Sequence, residues 1–312
     1  MESIWLLFLV GVGLLLVAAD TLVKAAEHWA LKIRLSPLII GSTLLALGTS
    51  LPELTVSLIA SLQGDVDLAL SNIIGSNITN LLLVLPLAAL VSPLRIGTTK
   101  TQRNGWIMLL VTGIFVVVTA WWWTALAGWG LILGAVGFTC LEYWWGVNGR
   151  THEDKQQFKR KERSNTHTLA LLVIALVGVV IGGVLTVRGA EALALSWGLT
   201  TSLVGLTLVA LVTSLPEIVV ALTSSWQKEA KLAEGSILGS NIYNILLIGG
   251  LIVITSAGEK QLHPGLIGFS LSAVAVVWLL RQYCGRAWPK YVSGLLLGAY
   301  GVFAWFSLRP SF

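Results

Sequence analysis

Long tracts without charged residues are the feature that most limits how this chain can fold. A helix needs about 20 apolar residues to cross about 30 Å of bilayer hydrocarbon, and the sequence offers ten such tracts. With 55% hydrophobic and 11% charged residues, a soluble globular protein is excluded. Transmembrane barrels show alternating segments of about ten residues instead of continuous apolar runs. The sequence therefore predicts an all-α membrane protein with several transmembrane helices.

The apolar runs and the loop signals between them predict ten transmembrane helices. We place these spans at 4–26, 37–62, 68–92, 104–124, 127–147, 168–190, 201–226, 230–255, 264–283 and 289–308.

The basic residues predict how these spans are oriented. All of the 20 lysines and arginines except Arg188, Lys260 and Arg309 lie in loops that follow odd-numbered spans. By the positive-inside rule those loops face the cytoplasm, so both termini lie outside it. The basic charge of the chain therefore reflects membrane orientation, and no nucleic-acid partner is expected.

The sequence matches itself at an offset of 164 residues. Residues 38–62 align with 202–226, and residues 68–84 align with 232–248, without a gap. Each repeat holds five spans, an odd number, so the second repeat must be inverted in the membrane. We predict a first five-helix repeat over 1–147, a cytoplasmic linker over 148–167 and an inverted second repeat over 168–312. Inverted repeats place a substrate site near the bilayer midplane and expose it alternately to either side.

Two glutamates lie deep inside uncharged tracts. An ionisable residue at such depth is costly, so a functional role is the default hypothesis for Glu53 and Glu217. Each directly follows a proline, Pro52 or Pro216, which lacks an N–H and clashes with the carbonyl four residues back. We therefore expect loosened helix at two places, 48–49 and 212–213.

Hydroxyl, amide and carboxylate groups recur at spacings of three and four residues around these glutamates, which puts them on one helix face. Oxygen ligands of this kind suit a hard cation such as calcium, which takes about six to eight oxygens, whereas transition metals prefer His or Cys. Two carboxylates would neutralise one calcium ion, and sodium ions or protons could neutralise the same pair when calcium leaves. The alternative is that these groups only join helices. It does not account for their recurrence in four spans at matching repeat positions, two of them with a Pro–Glu pair. The candidate ligands are Thr49, Ser50, Glu53, Ser76, Asn80, Thr213, Ser214, Glu217, Ser240 and Asn244.

Four motifs resemble the two alpha repeats of the calcium/cation antiporter superfamily, whose best-known branch is the sodium/calcium exchangers. They are GTSLPE at 48–53, TSLPE at 213–217, and GSNIxN at 75–80 and 239–244. The resemblance implies an exchanger-like fold in which the ten residues above bind the transported ions. Sodium/calcium exchangers often have an aspartate where this chain has Asn244, and Val212 replaces the glycine of the first repeat. The resemblance therefore leaves sodium and protons open as the counter-ion.

These observations predict a monomeric secondary antiporter that exchanges calcium for sodium or protons by alternating access in a prokaryotic inner membrane. No cofactor and no catalytic residue is expected. A cation channel is the main alternative, because polar rows and glutamate rings also line pores. An intramembrane enzyme is disfavoured, because the sequence contains no HExxH motif and no obvious catalytic dyad.

Two further acids have weaker claims to function. Asp20 precedes Lys24 by one helical turn, which predicts a local ion pair. Glu142 falls at the inner end of the fifth span and is expected at the membrane interface.

Overall fold

The described part of the chain consists mainly of helices joined by short turns, and it contains one pair of two-residue strands. The structure, a computed structural model, describes residues 2–92, 95–96, 99–148, 168–196, 213–257, 263–283 and 286–307. The strands β1 (Arg95–Ile96) and β2 (Arg286–Ala287) pair antiparallel. The helices are α1 (Glu2–Lys32), α2 (Pro37–Thr49), α3 (Leu51–Leu62), α4 (Val66–Val91), α5 (Thr99–Trp121), α6 (Ala125–Asn148), α7 (Thr168–Ser196), α8 (Leu215–Trp226), α9 (Ala230–Thr255), α10 (Gly265–Gln282) and α11 (Lys290–Ser307).

Seven helices of the described chain are long and apolar enough to cross a membrane, namely α1, α4, α5, α6, α7, α9 and α10. The pair α2 and α3, bent by 45° at Ser50, brings the number to eight if it forms one span. The prediction of an all-α protein with several membrane helices is thus confirmed. The predicted seventh span is described only from residue 213 onward, and the predicted linker lies outside the described residues. The ten-span layout therefore stays a prediction.

Helix ends that were predicted on one side of the membrane contact each other in the fold. On the predicted outer side, Ser61 Oγ lies 2.5 Å from Thr255 Oγ1, and Ser71 Oγ lies 2.9 Å from His263 Nε2. On the opposite side, β1 and β2 join the segments that follow α4 and α10. These contacts agree with the predicted alternation of the loops.

Helices α1 and α7 pack together closely because glycines face the partner backbone. A Cβ atom on Gly11 would lie 2.4 Å from the Thr186 backbone nitrogen, and one on Gly182 would lie 2.6 Å from that of Leu15. Any larger residue would push the two helices apart. Side chains of α1, α2 and α7 form a smaller buried cluster beside the main core, which is centred on α4 and α9.

Within the described residues, three π-helical segments interrupt the regular helices: Gly41–Leu45 in α2, Asn80–Val84 in α4 and Asn244–Gly249 in α9. A π-bulge changes the direction of the side chains around it and is frequent at functional sites. The segments in α4 and α9 begin at the same repeat position, which is the last asparagine of each GSNIxN motif. Backbone irregularity therefore coincides with predicted ligands.

Candidate ion-binding site

Two helix breaks form the backbone of the candidate site. Ser50 has φ −82° and ψ 7°, and Ser214 has φ −83° and ψ 4°, and each is followed directly by a new helix. The predicted break at 48–49 is wrong by one or two residues, because Gly48 and Thr49 are still helical in α2. Proline is tolerated in the first turn of a helix, where its missing N–H needs no intrahelical acceptor. The prolines are therefore the second residues of α3 and α8, and the break falls two residues earlier, at Ser50 and Ser214.

The two glutamates lie in the first turns of these new helices. Glu53 is in the first turn of α3, and Glu217 is in the first turn of α8. A helix N-terminus favours a negative charge. Both side chains are buried, with 0% and 1% of their surface exposed. Because a buried carboxylate needs partners, its neighbours determine what the site can do.

Serine hydroxyls from both halves of the chain bind Glu53. Ser76 donates to Glu53 Oε1 at 3.1 Å, and Ser214 donates to the same oxygen at 3.2 Å. The two hydroxyl oxygens are 2.8 Å apart. One carboxylate is thus held by a serine of its own repeat and a serine of the other.

Glu217 is held in the same way by the equivalent serines. Ser50 donates to Glu217 Oε1 at 3.1 Å, and Ser240 donates to it at 3.3 Å. Ser50 Oγ and Ser240 Oγ are 2.6 Å apart. Ser50 and Ser214 therefore each bind the glutamate of the other half, and the site lies where the halves meet.

Four buried oxygens of the predicted ligands accept no hydrogen bond from the residues that the structure describes. They are Glu53 Oε2, Glu217 Oε2, Asn80 Oδ1 and Asn244 Oδ1. An unsatisfied buried acceptor costs about 1–3 kcal/mol, so four among the predicted ligands require an explanation. Carboxylate and amide oxygens are ligands that calcium accepts. The arrangement can therefore bind a hard cation with oxygens that the fold leaves free.

The two predicted threonines lie beside this cluster and are buried. Thr49 Oγ1 donates to Leu45 O at 3.0 Å, and Thr213 Oγ1 donates to Asn72 Oδ1 at 3.3 Å. Each hydroxyl has given its proton to a protein acceptor, so only its lone pairs can contact a cation. The structure thus brings all ten predicted residues into one buried region, and their role in ion binding stays a prediction.

The two half-sites differ near the glutamates in a way that the motifs do not show. Asn72 donates to Ser57 Oγ at 2.9 Å and to Glu53 O at 3.3 Å. At the equivalent positions the second repeat has the smaller residues Ser236 and Ala221. The repeated motifs do not identify Asn72 as the donor to the Glu53 backbone carbonyl. Asn72 could have been identified from the sequence by comparing the two repeats at the positions where their residues differ.

Glu142 lies inside the protein, and its expected position at the membrane interface stays a prediction. Its side chain is fully buried and forms an ion pair with Arg103, and Ser42 Oγ donates to its Oε2 at 2.8 Å. The Arg103 guanidinium lies 4.0 Å from the ring centre of Trp145. Glu142 is buried because α2 and α5 supply these partners, which a pattern local to α6 cannot indicate.

The prediction for Asp20 is confirmed. Asp20 Oδ2 and Lys24 Nζ are 2.6 Å apart at an exposed position.

Comparison with known proteins gives consistent matches over most of the chain. The sequence pattern of the sodium/calcium exchanger protein family matches residues 3–144 and 167–309. The inner membrane protein YrbG of Escherichia coli is 34% identical over 269 residues, which cover 81% of this chain and 80% of the relative. The sodium/calcium exchanger MaX1 of Methanosarcina acetivorans is 29% identical over 330 residues, covering 90% of this chain and 94% of the relative.

A solved structure matches the fold as well. The sodium-calcium exchanger NCX_Mj, in crystals soaked with 10 mM Na⁺ and zero Ca²⁺, superposes with a TM-score of 0.83 and 29% sequence identity. The match covers 99% of this chain and 100% of that structure. The sequence patterns and the arrangement of the helices thus lead to the same group of proteins.

Proposed function

This chain belongs to the sodium/calcium exchanger protein family, and on that premise we propose that it exchanges calcium for sodium across a membrane by alternating access. The observation that carries the proposal is the set of four free oxygens, two from carboxylates and two from amides, buried where the halves of the chain meet. No covalent chemistry and no cofactor enters this function. Calcium and sodium are its substrates.

The geometry supports an exchange of ions at one site. The serines bind Oε1 of each glutamate, which leaves both Oε2 atoms for the cation. One calcium ion balances the two carboxylates, Glu53 and Glu217. Two buried negative charges without a cation are strongly unfavourable, so calcium leaves only when sodium ions or protons replace it. This requirement couples the two ion flows and makes the protein an antiporter.

We propose that all ten predicted ligands take part in this site. The glutamates, Asn80 and Asn244 supply the free oxygens. The serine hydroxyls keep lone pairs that can bind sodium or calcium while their protons are given to the carboxylates. The remaining ligands are Thr49 and Thr213, which contribute hydroxyl lone pairs or backbone carbonyls.

For the whole chain we propose ten membrane spans in two inverted repeats, 1–147 and 168–312, joined by a cytoplasmic linker over 148–167. Both termini lie outside the cytoplasm, and the protein acts as a monomer in a prokaryotic inner membrane. The contacts between helix ends on each side support this layout. The name of the E. coli relative, an inner membrane protein, supports the location.

A proton/calcium antiporter is the second candidate. It is favoured by Asn244, because the charged residue common at this position in sodium/calcium exchangers is absent. A channel is less well supported, because the ten proposed ligands are all at most 5% exposed. A site closed to solvent fits an occluded transporter better than a conducting pore.

The test is uptake of radioactive calcium into proteoliposomes that contain the purified protein. One set has an outward sodium gradient, a second has an outward proton gradient, and a third has neither. We expect uptake driven by sodium, and protein-free liposomes are the control. Uptake driven only by protons would establish the second candidate, and equal uptake in all three sets would indicate a channel. No uptake in any set would contradict the proposed function.

A further inference from the structure

Two buried asparagines that are not among the proposed ligands contact the ligand amides. Asn244 Nδ2 donates to Asn77 Oδ1 at 3.0 Å, and Asn80 Nδ2 donates to Asn241 Oδ1 at 3.1 Å. All four side chains are fully buried. Asn77 and Asn241 occupy the same position in the two repeats, and each contacts the ligand of the other repeat.

These bonds determine which end of each ligand amide faces the site. An asparagine side chain has an oxygen and an NH₂ group of nearly equal shape, and only the oxygen can bind a cation. In Asn80 and Asn244 the nitrogen donates to the opposite asparagine, and Asn80 Nδ2 also lies 3.4 Å from Ser240 Oγ. The oxygen of each amide has no hydrogen-bond partner among the described residues. The orientation of the acceptor asparagine therefore selects the oxygen for the cation.

We propose that Asn77 and Asn241 are positioning residues, which hold the amides of Asn244 and Asn80 so that their oxygens face the transported cation. This inference rests on the proposed function and assigns a role within the same site. Only one of the two acceptors has a contact that orients it among the described residues: Asn241 Nδ2 donates to Met108 Sδ at 3.5 Å, which directs its oxygen to Asn80, whereas Asn77 Nδ2 has no hydrogen-bond partner there.

The arrangement predicts what happens when an acceptor is removed. In Asn77→Ala, Asn244 loses the acceptor for its nitrogen and can turn its NH₂ group toward the cation. Loss of a residue that orients a metal ligand typically costs about 10–100-fold in affinity. We expect the calcium concentration for half-maximal uptake to rise about tenfold, with a smaller change in the maximal rate.

A double-mutant cycle separates orientation from general damage. An aspartate at position 244 has two equivalent oxygens and presents an acceptor whichever way it turns. In the protein with its natural Asn244, Asn77→Ala should therefore raise the calcium concentration for half-maximal uptake about tenfold. In the Asn244→Asp variant the same change should raise it less than about threefold. Calcium uptake into proteoliposomes under the same ion gradient is measured for all four proteins.

The crossed geometry supplies a matched control. The Asn77 side chain accepts from Asn244, and no side-chain hydrogen bond among the described residues joins it to the Asn80 side chain, so Asn80→Asp should leave the effect of Asn77→Ala unchanged. The second pair, Asn241→Ala with Asn80→Asp, repeats the cycle if a variant of the first pair does not fold. Equal effects of Asn77→Ala in the Asn244 and Asn244→Asp proteins would overturn this inference while leaving the proposed function intact. Absence of uptake by the unmodified protein would instead overturn the proposed function, and this inference with it.

Discussion

At the residue scale, the free Oε2 atoms of Glu53 and Glu217 carry the expected function. Glu53→Gln or Glu217→Gln keeps the side-chain shape but removes one of the two charges that balance calcium. Orienting residues alone account for about 10–100-fold in metal affinity, so we expect calcium exchange to fall more than about a hundredfold. Thermal unfolding in detergent should be unchanged or shifted upward, because an uncompensated buried charge is removed.

Asp20→Asn is the matched control for these variants, because it also neutralises a carboxylate in a membrane helix. The Asp20–Lys24 pair is exposed, with 49% of the aspartate side chain accessible, and exposed pairs contribute about 1 kcal/mol or less. Calcium exchange by this variant should equal that of the unmodified protein. Exchange by Glu53→Gln or Glu217→Gln within a few-fold of normal would remove that glutamate from the site.

The sequence predicts these glutamates because two signals coincide, their depth in apolar tracts and their repetition at one offset. It does not predict the role of Asn77 and Asn241, although both belong to a repeated motif. Their contacts cross from one repeat to the other, over 160 residues or more. A motif records which residue types recur, and only the fold shows which of them point at each other.

At the scale of elements, the buried contact of Glu142 joins α6 to α5 and α2. The two residues of the ion pair differ in burial: Glu142 is fully buried, whereas 23% of the Arg103 side chain is exposed. The Arg103 guanidinium also lies over the Trp145 ring. Removing one partner of a buried pair costs about 3–5 kcal/mol when the other charge stays buried. We expect Arg103→Met to lower the free energy of unfolding by about 3 kcal/mol and Glu142→Gln by about 1 kcal/mol.

The measurement is unfolding of the purified variants in detergent, followed by intrinsic tryptophan fluorescence. The double variant Arg103→Met with Glu142→Gln is the control, and it should be more stable than Arg103→Met alone because no charge is left unpaired. Equal destabilisation by the two single variants would show that Glu142 reaches water. The helix boundaries at this end were predicted from composition. The contacts of Glu142 have no local signal in the sequence, because its partners Arg103 and Ser42 lie 39 and 100 positions away.

At the scale of the whole molecule, the contacts between helix ends divide the fold into two faces. On one face, β1 pairs with β2, and Gln227 Nε2 donates to Asp20 Oδ1 at 2.7 Å. Nearly all the basic residues lie in loops predicted on this face. The structure thus supports the predicted grouping of the loops on two faces. Which of the two faces is cytoplasmic is predicted only by the charge bias.

Cysteine labelling tests that orientation directly. In a protein whose natural cysteines are replaced, Cys140→Ser with Cys284→Ser, one cysteine is introduced either at Gln63, in the exposed turn after α3, or at Lys32, at the exposed end of α1. A maleimide that cannot cross the membrane should label Gln63→Cys in intact cells and Lys32→Cys only in inside-out vesicles, because the basic loops face the cytoplasm. The reverse pattern would invert the proposed orientation while preserving the alternation of loops. Labelling of both positions from the same side would contradict the alternation itself, because α2 and α3 would then fail to cross the membrane as one bent span.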